Sequence, residues 1–373
     1  MTAPSGAPAL GFVVAAIDED PADTARRLEQ LAATLARQAA AARQRAELVI
    51  VHWMPRATVA APAPTGALDR LDIVVGPTDI PPQPFPSYAE LHGRRAQNIG
   101  LRRSTASVLA VLGPDAVPSD ALFARLAHAA LRYPALLVAP EWRLDGFREG
   151  MSGALGDIDL GTLQHIHWVL GGTPVSAGNA AHGNLRPLWR LAATALVRHR
   201  VRPRSERRFP VLCRPGAPAD ALPAEDAEAL GHAVTGHFLA ASREVWMRLR
   251  GLPELLARDH ALGALLAIQA RANGIATRTL GFKAPVLRLA ATEERAVLRE
   301  NTDPGGELPM RLSFTPYEVA GFGPAHLPYA AEAFRMDTCS PLAINALGWG
   351  FADQPLTVHR TPALTSTAPT GRS

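Results

Sequence analysis

Lysine is almost missing from this chain: Lys283 is the sole ammonium side chain among 38 basic residues. A GC-rich coding bias gives the same pattern. The physical consequence stands either way, because phosphate contacts must then come from guanidinium forks and backbone amides. Cysteine is scarce too. Cys213 and Cys339 make no disulfide framework and carry no metal-ligand spacing, so reduced thiols in a cytoplasmic protein are the expectation. Long apolar runs are absent. Nothing approaches the roughly 20 residues of a membrane span, and the run Leu10 to Ile17, with no basic segment before it, is too short for one and is expected to be a buried strand. Charge of one sign is lacking as well: the formal net charge is +4 over 373 residues. That excess is too small to argue for nucleic acid, and it permits an anionic small-molecule substrate. No internal repeat is present.

What is there reads as an ordinary globular α/β chain, 47% hydrophobic and 19% charged. Leu10 to Ile17 is a compact, β-branched apolar run ending in Asp18-Glu19-Asp20. Residues 21 to 45 follow with Leu28, Leu31 and Leu35 at helical spacing, Pro21 in a first turn and Asp20 as a cap. Apolar strands are expected at 48–53 and 71–75, after an Ala/Pro loop over 57–68. A Pro-rich surface loop at 77–86 leads to a Ser87-capped helix ending near Arg103 and carrying Arg94, Arg95, Arg102 and Arg103. Further strands are expected at 107–112 and 135–141, with a turn and helix between them over 115–132. Strand-helix-strand alternation argues for a doubly wound, mostly parallel sheet flanked by helices.

From about Trp142 to His232 the strands become hard to place, and arginines crowd residues 186–208. The sheet resumes at 235–241. A helix over 259–273 ends at Gly274, a residue suited to the left-handed position after a helix, and short strands follow at 276–280 and 285–289. The expected organisation is a tail at 1–8, a first half at 9–145, an Arg-rich insertion at 146–232, a second half at 233–300, a C-terminal region at 301–360, and a tail at 361–373 that is disordered by composition.

Ligands of open α/β sheets bind beyond the carboxyl ends of the strands. Those ends carry Asp18-Glu19, His52-Trp53 and Gly113-Pro114-Asp115, which can bond a base or ribose or hold a divalent metal. The bland alternative is that strand ends simply carry polar residues. Asp115 and Asp259 can each be a helix or turn cap instead of a functional acid. His237 can be a hydrogen-bonded core residue. His165 and His167 alternate as on a strand, but with no third ligand zinc is not expected. The Arg-rich stretch is either a solvated helix and loop or a contact to an anionic membrane or acidic acceptor. No aromatic interleaving supports nucleic-acid binding.

Several blocks resemble family-2-like glycosyltransferases with the GT-A fold. Gly236-His237-Phe238 followed by Ser242-Arg243-Glu244-Val245-Trp246 and Arg250-Gly251-Leu252-Pro253-Glu254 resembles that family's "Gly-Asp-Phe … Ser-Arg-Glu-x-Trp … Arg-Gly-Tyr-Pro-Glu" segment. Phe12 to Glu19 resembles its opening strand. Glu47-Leu48-Val49-Ile50-Val51-His52-Trp53-Met54-Pro55 resembles "Glu-Leu-Ile-Ile-Val-Glu-Trp-Asn-Pro". Gln97-Asn98-Ile99-Gly100-Leu101-Arg102-Arg103 resembles "Lys-Asn-Ile-Gly-Ile-Arg-Arg", and Asn345 to Asp353 resembles "Asn-x-x-x-Trp-Gly-Leu-Ala-Asp". The blocks occur in order across most of the chain.

The resemblance implies transfer of a sugar from a nucleotide-diphosphate donor to a glycan or lipid-linked acceptor, as in polysaccharide biosynthesis. Asp18, Glu19, His52 and Asn98 would contact the nucleotide. Asp115 would hold a manganese or magnesium ion or face the diphosphate, and Asp259, His260 or His237 would act as base. The sequence departs from the pattern at His237, His52, Gly113 and Gly263, where acids are expected. Two rivals follow: a catalytically degenerate protein that binds a nucleotide sugar or glycan or supports a partner transferase, and a metal-independent transferase that offsets the diphosphate with arginine. The expected location is the cytoplasm, peripheral at the inner membrane face through residues 186–208.

Overall fold

The computed structural model describes residues 9–17, 21–56, 58–59, 66–80, 89–113, 115–130, 134–139, 141–144, 166–170, 173–176, 211–213, 234, 238–254, 259–280, 284–289, 345 and 347–363. The first half alternates strand and helix: β1 (Leu10–Ile17), α1 (Pro21–Ala42), β2 (Ala46–Trp53), β3 (Leu68–Val75), α2 (Ala89–Arg103), β4 (Val108–Leu112), β5 (Ala116–Pro118), α3 (Asp120–Ala130), β6 (Ala135–Val138) and β7 (Glu141–Leu144). Then come β8 (Ile166–Leu170), β9 (Thr173–Ser176), β10 (Val211–Cys213), β11 (Phe238–Ser242), α4 (Arg243–Leu249), α5 (Asp259–Ala272), β12 (Ala276–Thr279), β13 (Val286–Leu289) and β14 (Thr357–Thr361).

Nine strands form one sheet in the order β10-β12-β6-β11-β4-β1-β2-β3-β14. Strands β1, β2, β3 and β4 pair in parallel, and β6 and β12 run with them across an antiparallel β11. Strands β10 and β14 are antiparallel at the two edges. The sheet is therefore mixed and mostly parallel, as the alternation of elements predicts. A second sheet, in the order β5-β13-β7-β8-β9, was not foreseen. The expected single strand over 135–141 divides: β6 belongs to the large sheet and β7 to the small one.

Even and odd residues of the central strands feed two cores. Phe12, Val14, Leu48, Ile50 and Ala110 pack against Leu28, Leu31 and Leu35 of α1 and Leu122, Phe123 and Leu126 of α3. Val13, Ala15, Val49, Val51 and Val111 pack against Ala96 and Ile99 of α2, Val245, Trp246 and Leu249 of α4, and Leu266 and Ala270 of α5. This two-sided burial explains why the strands read as continuous apolar runs rather than alternating ones. Gln38 of α1 ties the first layer by donating to the Pro118 carbonyl and to Asp120, both at 2.8 Å.

The segment around α4 behaves as its residues dictate. The Ser242 hydroxyl accepts from the Val245 N–H at 3.3 Å, a side-chain cap on the first turn. Trp246 is fully buried, and its indole N–H donates to the Leu109 carbonyl at 2.9 Å. The helix ends with Arg250 at φ 56° and Gly251 at φ 76°. A side chain at Gly251 would drive into Asn98 and Trp349 as well as strain the backbone. Gly274, at φ 72°, ends α5 as expected, and the Ile275 N–H reaches back to the Ala270 carbonyl at 2.8 Å.

Candidate functional site at the carboxyl edge of the sheet

The co-directional strands end along one edge of the large sheet, marked by Ile17, Trp53, Val75, Leu112 and Val138. Strand β11 runs the other way, so it begins at this edge, with Phe238 opposite Leu112. Helix α5 turns through Gly274 directly into the start of β12, which runs with β6. At about 1.5 Å per residue its 14 residues span roughly 21 Å, longer than the four-residue strand β12 that it leads into. Its first residues, Asp259 and His260, therefore sit at the same carboxyl edge. Their backbone is described and their side chains are not.

Topology thus gathers the segments that the sequence singled out. Asp115 follows Leu112 and Gly113 in the tight turn to β5, where the Ala116 N–H bonds the Gly113 carbonyl at 3.1 Å, and it is buried. Gly113, two residues ahead, offers no side-chain ligand. Asp18, Glu19 and His237 lie outside the described residues, as does the Arg-rich stretch 186–208. Among the described residues no group of three or more His, Cys, Asp or Glu could hold a metal.

His52 and Asn98 are placed in detail. His52 lies on the α1 face of β2, opposite in direction to Trp53, and its Nε2 is 2.8 Å from Asp72 Oδ1 on β3. Asp72 is fully buried and also accepts from Arg70 Nε at 2.9 Å. Arg70 in turn donates to Glu29 of α1 at 2.7 Å. Burial pushes the Asp72 carboxyl up, but the hydrogen bonds from His52 and Arg70 outweigh it and hold the group below the usual carboxylate range. Burial likewise lowers Arg70, and its two carboxylate partners more than restore it. His52 is thereby engaged by an internal charge chain that ties β2, β3 and α1.

Asn98, in the middle of α2, is fully buried. Its Nδ2 donates to the Leu252 carbonyl at 2.9 Å and to Glu254 Oε1 at 2.8 Å, and its Oδ1 accepts from the Leu252 N–H at 2.7 Å. The amide is engaged by the Gly-Leu-Pro-Glu turn, donating two hydrogen bonds and accepting one. Gly100 lets α2 come this close, because a Cβ there would collide with Val13 of β1. From the C-terminal side, Asn345 donates to the Arg250 and Leu252 carbonyls at 2.8 and 2.6 Å and accepts from the Glu254 N–H at 3.0 Å.

Further residues stand near this turn. The first turns of α2 lie over the end of β1, where a Cβ on Gly93 would touch Ile17 at 3.4 Å. Trp53, the last residue of β2, stacks on His92 with ring centroids 5.1 Å apart, and Phe351 tilts against it at 6.0 Å. Burial, and then the Arg95 charge, lower His92 below the usual imidazole range, so the ring is neutral near pH 7. Arg95, one turn further along α2, has its Nε 3.5 Å from Glu254 Oε2. The signal for Arg95 was present as one of four arginines on the helix, but helical spacing alone did not say which one turned toward the strand ends.

No protein-family model and no curated protein matches the chain. Among solved structures it is similar to residues 1–349 of S. aureus TarS, with a TM-score of 0.39 and 9% identity over 78% of this chain. The chain spans 63% of that protein's length in the crystal structure. A likeness this faint does not bear on activity. Among the described residues, no helix is long and apolar enough to cross a membrane.

Proposed function

We propose that the chain is a GT-A-like glycosyltransferase that moves a sugar from a nucleotide-diphosphate donor to a glycan or lipid-linked acceptor. One observation supports the reading above the others. The segments in which the sequence resemblance implies donor contacts, diphosphate contacts and base all reach a single edge of a doubly wound sheet: the ends of β1, β2 and β4, the start of β11 and the N-terminus of α5. That is the edge at which such sheets take nucleotides.

In this reading Asp18 and Glu19 meet the nucleoside, and Asp115 faces the diphosphate. Manganese or magnesium, when bound, would offset charge on the leaving diphosphate, with Asp115 as one ligand and the donor and water as the others. Asp259, or His260 beside it, takes the proton of the acceptor hydroxyl as it attacks the anomeric carbon. Asp259→Asn is expected to lower transfer at least about a hundredfold while leaving donor binding intact. Sugar release from a panel of UDP- and GDP-sugars checks this, and transfer unchanged in the variant would remove Asp259 from the role. The Arg-rich 186–208 segment is the proposed contact to an anionic membrane face at the cytoplasmic side.

A second reading is favoured by a specific observation. His52 is committed to Asp72, and Gly113 and Gly263 supply no acid where acids are expected. A protein that binds the nucleotide sugar without turning it over would show donor binding, no product, and no change on Asp259→Asn.

A further inference from the structure

Two buried donors near the carboxyl edge find no acceptor among the described residues. They are the indole N–H of Trp53, a residue 2% exposed, and the Nε–H of Arg95. Neither group can accept a hydrogen bond, so only an acceptor satisfies it, and leaving such a group unpaired in the interior is costly. They belong to one neighbourhood. Trp53 stacks on His92, and His92 and Arg95 are three residues apart on α2 and so share a helix face.

The carboxylate beside Arg95 does not absorb its donors. Glu254 Oε2 is 3.5 Å from Arg95 Nε, and Nε makes no hydrogen bond to it. Glu254 Oε1 is already taken by Asn98, and the Glu254 backbone N–H is held by Asn345. Glu254 is therefore fixed from two sides at a distance that offsets the guanidinium charge without consuming the Nε–H. With lysine nearly absent from the chain, a guanidinium is the available partner for a phosphate, and its fork matches phosphoryl oxygens.

We propose that Arg95 and Trp53 form a phosphoryl-binding site at the carboxyl edge, with Glu254 and Asn98 as its positioning residues. The inference rests on the reading that this edge takes a phosphorylated substrate, but not on any transfer reaction there. Its ligand is a phosphoryl group, supplied either by the diphosphate of a nucleotide donor or by the phosphate of a lipid-linked acceptor.

Titration calorimetry of the full chain with inorganic pyrophosphate, UDP and octyl phosphate tests it. Arg95→Gln is expected to weaken pyrophosphate binding at least about tenfold, and Trp53→Phe, which keeps a ring and loses only the N–H, about threefold. Glu254→Gln can keep the Asn98 contact but removes the offsetting negative charge, and is expected to raise pyrophosphate affinity about threefold. A purely structural ion pair would instead make Arg95→Gln and Glu254→Gln equally destabilising, with no change in anion affinity. Pyrophosphate and UDP binding more tightly than octyl phosphate assigns the donor diphosphate, and the reverse order assigns the lipid-linked acceptor. The proposal is overturned if wild type does not bind pyrophosphate, or if Trp53→Phe and whichever Arg95 variant folds, Gln or Lys, bind it as wild type does. Pyrophosphate binding without any binding of UDP, GDP or their sugars would keep this site and sink the nucleotide-sugar reading.

Discussion

Asp72, inside β3, is a buried carboxylate held by two partners. It is fully buried between His52 and Arg70, and its carboxyl is held below the ordinary range because those two partners outweigh the burial penalty. A carboxyl depressed in the folded state stabilises the fold above its unfolded pKa of about 4. That contribution is lost as pH falls through the lower folded value. Asp72→Asn is expected to cost about 3 kcal/mol near pH 7, because the buried Arg70 loses one of its two carboxylate partners. Chemical denaturation between pH 3 and 7 checks both parts: wild type should lose stability toward pH 3 more steeply than the variant. Equal slopes would mean that the charge chain does not set the acid limit. The same residues show what the sequence alone leaves hidden. His52 sits at a strand end and carries a ring, which suggests a nucleotide contact. Its partner is 20 positions away, and only the parallel register of β2 on β3 brings the two together.

At the scale of elements, the turn after α4 is the junction on which the site depends. Gly251 has φ 76° and lies against Asn98 and Trp349. Gly251→Ala combines left-handed strain with overpacking and is expected to cost about 2–4 kcal/mol, read as a shift in denaturation midpoint. A cost below about 1 kcal/mol would show that the turn relaxes freely. This segment was also the most legible in the sequence. Ser242 as a cap, Trp246 as core and the Gly-containing turn all follow from local chemistry, and so does the end of α5 at Gly274. Elements defined by distant partners were not legible. Strand β14 lies in a region of mixed pattern, and its last residue, Thr361, falls in the stretch read as tail. It exists because β3 offers an open edge, which Thr357–Thr361 pairs antiparallel, and the Ala363 N–H bonds Asp69 at 2.8 Å. Strands β5 and β7 escaped notice for the same reason, since both are short and defined by their pairing with β13.

Over the whole molecule, the C-terminal segment closes what the first half builds. Arg103 of α2 donates to the Phe351 and Gln354 carbonyls at 3.1 and 2.7 Å. Arg102 lies over the Trp349 ring at 5.2 Å, and Asn345 clamps the Gly-Leu-Pro-Glu turn. Trp349→Ala should therefore cost about 3 kcal/mol and loosen Glu254 and Arg95, 95 or more positions away in sequence. A thermal melt together with pyrophosphate affinity reads both effects, and a loss of stability with unchanged affinity would uncouple the clasp from the edge. The central claim is that the carboxyl edge of this sheet binds a nucleotide-diphosphate sugar. Titration calorimetry with UDP- and GDP-sugars, with and without manganese, tests it most directly. Saturable binding of at least one donor, competed by its nucleoside diphosphate and weakened by Arg95→Gln, is the predicted result. No binding by any of these donors, under conditions where a control transferase binds its own, would contradict it.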